Sequence, residues 1–314
     1  MPKGYEKMRN AIKEDLLKKG MKGMSREKAV MSGLPLNQII HGDCLEVMRQ
    51  FPDKSIDMIL CDLPYGTTAC KWDSVIPFEP LWAQYRRIAK ENAAIVLTAS
   101  QPFTTALIAS NMREFRYCWY WKKSVGSGFQ NAKRQPLRLI EEVVVFYRKP
   151  PKYIPQGLVR TDAPRVNKIS AADSIVGGTP GRGGLRTVGN EWVQEFTNYP
   201  RNVLEFPAPM AGRKHPTQKP VELFEYLIKT YTLPGEVVLD NCIGSGTTAI
   251  ACINTGRNFI GIEIDEKYVK IARERIEKHK KLDKMRLFPI SELETGKLQY
   301  KALFEPEDES YGED

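Results

Sequence analysis

The sequence predicts an α/β fold built around a largely parallel sheet. Two observations carry that reading. Short apolar runs, among them Ile56-Asp57-Met58-Ile59-Leu60-Cys61, Ala93 to Thr98 and Glu236 to Asp240, have the length and composition of buried strands and are separated by helical segments. The first of these runs reaches the acid Asp62 and is stopped abruptly by Pro64 and Gly66, and the carboxyl ends of strands are where open α/β sheets bind ligands.

The elements follow in chain order. Residues 1–36 form a basic N-terminal extension that alternates lysines with Ile12, Leu16, Leu17, Met21 and Met24, a pattern of short amphipathic helices or a solvated arm on DNA. Residues 37–149 make a first half. Asn37 to Asp43 is a short strand ending in Gly42-Asp43, with Asp43 also placed to cap the helix Cys44 to Arg49. The strand ending at Asp62 comes next, followed by a polar loop from Thr67 to Asp73. A helix is expected from Phe78 to Lys90, a strand from Ala93 to Thr98 and a helix from Pro102 to Ser110. An aromatic strand, Phe115 to Trp121, and another strand, Glu141 to Tyr147, flank a loop containing Lys122, Lys123, Phe129, Asn131, Lys133, Arg134 and Arg138. Glycines, cations and an aromatic ring together suit a loop working against phosphates and bases, or simply a solvated basic surface.

Residues 150–212 lose periodicity. Prolines and glycines are frequent and arginines recur, including Arg182 and Arg186, so a loop-rich inserted region that contacts a partner is expected. Residues 213–280 restore the α/β pattern. His215-Pro216-Thr217-Gln218-Lys219-Pro220 opens a helix, Val221 to Tyr231, and its backbone donors with Thr217 and Lys219 would hold a carboxylate. The strand ending at Asp240 precedes a glycine loop, Asn241-Cys242-Ile243-Gly244-Ser245-Gly246-Thr247-Thr248, which opens a helix to about Asn254. The strand Asn258 to Glu263 and an amphipathic helix, Glu266 to Lys280, follow. Residues 281–314 are a tail that turns acidic.

Composition bounds the class. The chain has 314 residues and 42% hydrophobic content, enough for a sizeable core. No apolar run reaches the length of a membrane span, and the N-terminus lacks the apolar stretch of a secretion signal. Six cysteines without a CxxC pair read as reduced thiols in a cytoplasmic protein, and three histidines, none grouped with cysteines, give no zinc pattern and no metal site. A net charge of +9 suits a polyanion such as nucleic acid, although a lysine-rich surface would give the same figure.

The stretch Asp62-Leu63-Pro64-Tyr65-Gly66 gathers an acid, a proline-restricted backbone and an aromatic ring at one strand end. Asp62 accepts hydrogen bonds. Leu63, preceding proline, is biased to an extended conformation that would turn its carbonyl into the same cavity. Two acceptors side by side fit an exocyclic amino group, and Tyr65 offers a flat surface for a ring.

Two cofactors fit the glycine loop by spacing. Gly244, Gly246 and Ala249 match a dinucleotide fingerprint, with Glu263 about twenty residues on as a ribose-binding acid. A nicotinamide dinucleotide would, however, set its pyrophosphate beside Asp240. S-adenosylmethionine carries an ammonium and a sulfonium and no phosphate, and suits a carboxylate there, with Glu263 on its ribose hydroxyls and the glycines admitting its methionine portion.

Taken together, Gly42-Asp43, the DLPYG stretch at 62–66, HPTQKP at 215–220, DNCIGSGTT at 240–248 and IGIEID at 260–265 resemble the amino-group DNA methyltransferases, in the motif order of their permuted β group. The resemblance spans roughly residues 37 to 280. It implies a Rossmann-like methyltransferase fold, a seven-stranded mixed sheet with an inserted target-recognition region at about 150–212. It implies that Asp62, Leu63, Pro64 and Tyr65 hold a flipped base, with Lys122, Lys123, Phe129, Asn131, Lys133, Arg134, Arg182 and Arg186 on DNA. Asp43, Thr217, Gln218, Lys219, Asp240, Cys242, Gly244, Ser245, Gly246, Thr247 and Glu263 would bind S-adenosylmethionine, Asp43 at the adenine and Thr217, Gln218 and Lys219 at the methionine end. Two positions depart from the family pattern: Leu63 stands where proline is common, and Asn241-Cys242 where Pro-Phe is usual. The implied partners are double-stranded DNA, a second copy of the chain and a cognate restriction enzyme. The implied activity is N6 methylation of adenine by base flipping, Asp62 favouring adenine over cytosine N4. RNA or protein-amide methylation, a nicotinamide-dependent oxidoreductase and a non-catalytic DNA-binding protein are the other classes the sequence admits.

Overall fold

The computed structural model describes residues 33–66, 73–168, 191–208 and 218–286. Residues 1–32 of the N-terminal extension, 67–72 of the polar loop and 287–314 of the tail lie outside them, as do Thr217, Arg182 and Arg186. Ten strands and six helices are found there: β1 (Gln38–His41), α1 (Cys44–Met48), β2 (Ile56–Asp62), α2 (Phe78–Ile88), β3 (Ala89–Ala99), α3 (Phe103–Ser110), β4 (Phe115–Ser127), β5 (Arg138–Phe146), β6 (Val159–Lys168), β7 (Glu191–Thr197), β8 (Val203–Glu205), α4 (Val221–Tyr231), β9 (Val237–Asp240), α5 (Thr247–Thr255), β10 (Asn258–Glu263) and α6 (Glu266–Arg286).

Eight strands form one sheet in the order β1-β10-β9-β2-β3-β5-β4-β8. The pairs from β1 through β3 are parallel, β5 runs antiparallel to both β3 and β4, and β8 lies parallel to β4. The strand-length apolar run of β2 is buried on both faces, as a central parallel strand requires. Its side chains divide between two cores: Ile59 and Cys61 join α1, α2 and α3 on one face, Met58 and Leu60 join α4, α5 and α6 on the other. The helices bury stripes at helical spacing, Leu81, Trp82, Tyr85 and Ile88 in α2 and Leu223, Phe224, Leu227, Ile228 and Tyr231 in α4. Trp82 anchors its layer: its ring centroid lies 4.8 Å from that of Phe146 and 5.7 Å from that of Tyr85, and its indole N–H donates to Ser110 Oγ at 2.9 Å. Burial of each such side chain is worth about 1.5–3 kcal/mol. Among the described residues no helix is long and apolar enough to cross a membrane.

The architecture is the expected α/β sandwich, with differences that have physical causes. The sheet has eight strands rather than seven, because three residues of the irregular region, Val203–Glu205, add to the edge of β4. That region also contains an antiparallel pair, β6–β7, whose partners lie some thirty residues apart in sequence and pair from Val159↔Thr197 to Lys168↔Glu191. Such long-range pairing leaves little local periodicity to read. The aromatic strand continues through Lys122 and Lys123 to Ser127, so both lysines belong to a strand and not to a loop. A 3-10 turn, Phe129–Asn131, then leads towards β5.

Parallel register lines up the strand ends that matter. His41 is paired with Glu263, Gly261 with Asp240, and Asp62 with Thr98. Asp43, Glu263, Asp240 and Asp62 therefore follow one another along a single carboxyl edge.

Candidate active site and cofactor pocket

At the end of β2, Asp62 is held by three side chains. Its Oδ1 accepts from Tyr65 Oη at 2.8 Å, from Thr98 Oγ1 and from Lys219 Nζ at 2.8 Å; its Oδ2 accepts from Lys219 Nζ, also at 2.8 Å. Thr98 reaches Asp62 because the two are register partners on β3 and β2. The Tyr65 ring stacks on Phe103 of α3 with centroids 5.1 Å apart and planes 26° apart. Burial first, then the charge of Asp62 and Glu141, raises the Tyr65 hydroxyl well above its ordinary pKa, so it stays a neutral donor. The Leu63 side chain is buried in the core beneath, which fixes the backbone between acid and ring.

Lys219, expected at the methionine end, places its ammonium on Asp62. The residue is 5% exposed, and its ammonium lies 5.5 Å over the Tyr65 ring and 3.5 Å from Glu141 Oε2. Burial opposes its charge, but Asp62 and Glu141 outweigh burial and hold its pKa above the ordinary lysine value. A buried ammonium must be paired, and these carboxylates supply the pairing. Lys123 likewise departs from the expected DNA contact: it is buried, and its Nζ donates to Glu141 Oε1 at 3.0 Å and Ser127 Oγ at 3.1 Å. Lys122 is exposed and paired with Glu205 at 2.9 Å. Phe129, Asn131, Lys133 and Arg134 lie on the exposed turn beyond β4, with Phe129 68% exposed.

The second cluster surrounds the glycine loop. Asp240, 3% exposed, accepts from the Cys242 backbone N–H at 3.1 Å through Oδ1 and from Thr248 Oγ1 through Oδ2. Burial pushes its pKa up to about 7, the Thr248 and Cys242 hydrogen bonds working against that rise. Glu263 accepts from Gly244 N–H at 2.8 Å and Asp265 N–H at 3.0 Å, and burial raises its pKa as well. Asp43 caps α1, accepting from Leu45 N–H at 2.8 Å. Gly246 begins α5 with φ of 86°, a left-handed conformation that favours glycine, and a Cβ there would lie 3.3 Å from that of Ala272. Arg275 of α6 reaches across to Ser245 O at 3.0 Å, Ser245 Oγ at 3.2 Å and Thr247 Oγ1 at 3.2 Å, and Gln218 Oε1 accepts from Ser245 Oγ at 3.3 Å. Beneath the loop, Tyr85 Oη donates to Asn241 Oδ1 at 2.5 Å. Cys242 is half-buried against the core that holds Cys44 and Cys61.

The structure thus gathers Asp62 and Tyr65 into one cluster and Asp240, Cys242, Gly244 and Glu263 into another on the same edge. Thr98, Phe103 and Glu141 at the first, and Tyr85 and Arg275 at the second, carry no motif of their own; only their places on a strand or a helix face mark them, whereas Thr248 closes the glycine-loop motif without having been singled out.

The donor set decides what the second cluster can hold. Among the described residues no lysine, arginine or histidine makes an ion pair with Asp43, Asp240 or Glu263. Three unneutralised acids at adjacent strand ends repel a pyrophosphate and favour a ligand bearing positive charge. S-adenosylmethionine fits that set; a nicotinamide dinucleotide does not.

A protein-family model described as DNA methylase matches residues 56–274. The chain is 27% identical over 278 residues to the DNA adenine methyltransferase YhdJ of Escherichia coli (strain K12), covering 84% of this chain and 90% of that protein. It is 27% identical over 258 residues to the type II methyltransferase M1.MboII of Moraxella bovis, covering 76% of this chain and 96% of the relative. Among solved structures, the cytosine-N4-specific PvuII DNA methyltransferase shares the fold with a TM-score of 0.52 at 15% identity, over 77% of this chain and 90% of that one. With the family model covering well over half of its length, the chain belongs to the N6/N4 DNA methylase family.

Proposed function

We propose that the protein methylates the N6 amino group of adenine in double-stranded DNA with S-adenosylmethionine as methyl donor. One observation carries the reading: on a single sheet edge, unneutralised acids fit for a cationic cofactor adjoin a carboxylate and an aromatic ring fit for an amino-bearing base. The name of the Escherichia coli relative supports adenine as the base.

S-adenosylmethionine, bound along Asp43, Asp240, Glu263 and the glycine loop, supplies an electrophilic methyl group. The rest of the chemistry belongs to the chain. An exocyclic amino nitrogen is a weak nucleophile because its lone pair is delocalised into the ring. Hydrogen bonds from its two protons to the Asp62 carboxylate and the Leu63 carbonyl favour a pyramidal nitrogen with a localised lone pair. Tyr65, braced by Phe103 and neutral at working pH, supports the ring. Catalysis is then positioning and electrostatics. The target atom is inaccessible inside a duplex, so the base is extruded into this pocket.

The exposed turn with Phe129, Asn131, Lys133 and Arg134 projects past β4 on the same edge and is the DNA-facing surface of this reading. Residues 150–212, with the β6–β7 pair, are its target-recognition region, between a catalytic half at 37–149 and a cofactor half at 213–280. Arg182 and Arg186 fall within that region. The type II name of the Moraxella relative supports a companion restriction enzyme. A homodimer acting in the cytoplasm completes the proposal, and sedimentation tests the dimer.

The test is transfer of labelled methyl to unmethylated genomic DNA, with the product nucleoside identified by mass spectrometry and an Asp62→Ala control. N6-methyladenine that vanishes in the control is expected. N4-methylcytosine alone would overturn the adenine assignment.

A further inference from the structure

Two features at Asp62 are not used by the reaction described above. The first is an asymmetry between its oxygens. Among the described residues Oδ1 accepts from Tyr65, Thr98 and Lys219, whereas Oδ2 accepts from Lys219 only. Oδ2 is therefore the oxygen open to an incoming amino group, and the Lys219 ammonium sits on it at 2.8 Å. The same ammonium lies over the Tyr65 ring. It covers both the acceptor and the ring surface that an extruded base requires.

The second feature is Glu141. Its Oε2 is buried and, among the described residues, accepts no hydrogen bond. Its Oε1 is held by Lys123, itself tied to Ser127. A buried acceptor left unsatisfied is costly. Lys219 Nζ stands 3.5 Å from that oxygen, so a shift of about 0.7 Å brings it into hydrogen-bond range.

We propose that Lys219 is a placeholder for the target base: it holds Asp62 Oδ2 while the pocket is empty and passes to Glu141 Oε2 when the base's amino group arrives. Lys219 and Glu141 are positioning residues, acting through Asp62. The exchange keeps one ammonium between two carboxylates in both states, so no charge is left buried and unpaired. Asp62 gives up the lysine at both oxygens, keeps Tyr65 and Thr98 on Oδ1 and gains an amino proton at Oδ2; Glu141 fills its open acceptor. A base without an exocyclic amino group has no donor to give Asp62 in return, so Lys219 stays and the pocket is closed to it. The placeholder thus contributes specificity for amino-bearing bases by charge as well as by shape.

The inference rests on the reading of Asp62 as acceptor for the target amino group. Steady-state methyl transfer to unmethylated genomic DNA tests it with Glu141→Gln, Lys219→Met and the double variant. E141Q strands Lys219 on Asp62, and K219M leaves two carboxylates facing each other, so each lowers kcat/KM for DNA by about tenfold or more. The double variant removes both the competitor and the excess charge and is expected to be more active than either single variant. A double variant no better than the poorer single would overturn the proposal. Calorimetry of S-adenosylmethionine binding to K219M is independent of whether E141Q folds. Affinity within about threefold of wild type is expected, and a loss of tenfold or more would place Lys219 on the cofactor and overturn the proposal. The Asp62→Ala control separates the two failures. Wild-type transfer in that control means Asp62 is not the acceptor, whereas loss in the control without recovery in the double variant sinks the placeholder alone.

Discussion

On the proposed reading of Asp240 as a cofactor-binding acid, S-adenosylmethionine binding depends on pH in a direction set by the raised pKa of that acid. Its pKa stands near 7 in the folded protein against an ordinary 3.8. The difference of about three units corresponds to about 4 kcal/mol in favour of the protonated, neutral acid. Because the folded value is raised, the contribution of this group to folding stability is complete below pH about 4 and is lost as pH rises through 7. A cationic ligand prefers the ionised form. Above pH 7 that form is already present; below it, binding must expel a proton. Affinity therefore falls by about tenfold per unit below pH 7 and is down by about a hundredfold at pH 5. Calorimetry from pH 5 to 8.5 in two buffers of different ionisation enthalpy reads both the affinity and the proton released, which approaches one per site at the acid end. Asp240→Asn removes that proton, flattens the profile by one unit of slope and leaves only what Glu263 and the ligand contribute. An affinity flat across the range in the wild type, or an unaltered slope in the variant, would refute the assignment of Asp240 to the positively charged part of the ligand.

Three further outcomes are expected. Tyr85→Phe deprives buried Asn241 of its donor and should cost about 1–3 kcal/mol, read as a melting temperature lower by several degrees; an unchanged melting curve would show the bond to be worthless. Gly261→Ala puts a Cβ 2.3 Å from Ile243 Cδ1 and 3.3 Å from its Cβ, so the Ile243 side chain must turn away and press on the glycine loop; a loss of about 1–3 kcal/mol together with weaker S-adenosylmethionine binding is expected, and normal affinity would free the loop from β10. Lys133→Ala with Arg134→Ala should lower DNA affinity and reduce the salt dependence, log K against log salt, by up to about two, while an unchanged slope would move the DNA elsewhere.

Strand ends were the legible part of the sequence. β2, β9 and β10 are runs whose burial on both faces is written in their composition, and each ends on the acid that matters. The glycine loop and the Pro220 start of α4 are equally local. What sequence hid was long-range. Val203–Glu205 becomes an eighth strand only because β4 is beside it, and β6 needs β7 from beyond the intervening segment. Lys123 reads as a basic loop residue until β4 is seen to continue through it and turn its side chain towards Glu141. Lys219 belongs to a motif that sequence assigns to the cofactor, yet its ammonium crosses to Asp62, because burial forces a cation onto the nearest carboxylates and those lie 157 and 78 positions away in the chain. Thr98 and Arg275 escaped for the same reason: register and helix packing, not spacing, bring them to the site.

The four acids along the carboxyl edge are treated in two ways, and the chemistry of the two substrates accounts for the division. Asp43, Asp240 and Glu263 have no cationic partner among the described residues. They are stabilised by backbone N–H groups and by the Thr248 hydroxyl, and the burial of Asp240 and Glu263 raises the pKa of both. S-adenosylmethionine brings positive charge with it, so a resident cation there would compete with the ligand. Adenine brings none. A carboxylate meant to receive a neutral base must keep its counter-charge within the protein both before and after the base arrives, and Asp62 is the one acid of the four with a buried lysine on it. A second carboxylate beside that lysine, Glu141, is then what lets the counter-charge step aside without leaving. By this logic, moving the lysine to the cofactor side should weaken S-adenosylmethionine binding: Thr248→Lys would set an ammonium against Asp240, and affinity there should fall while the Asp62 pocket stays intact.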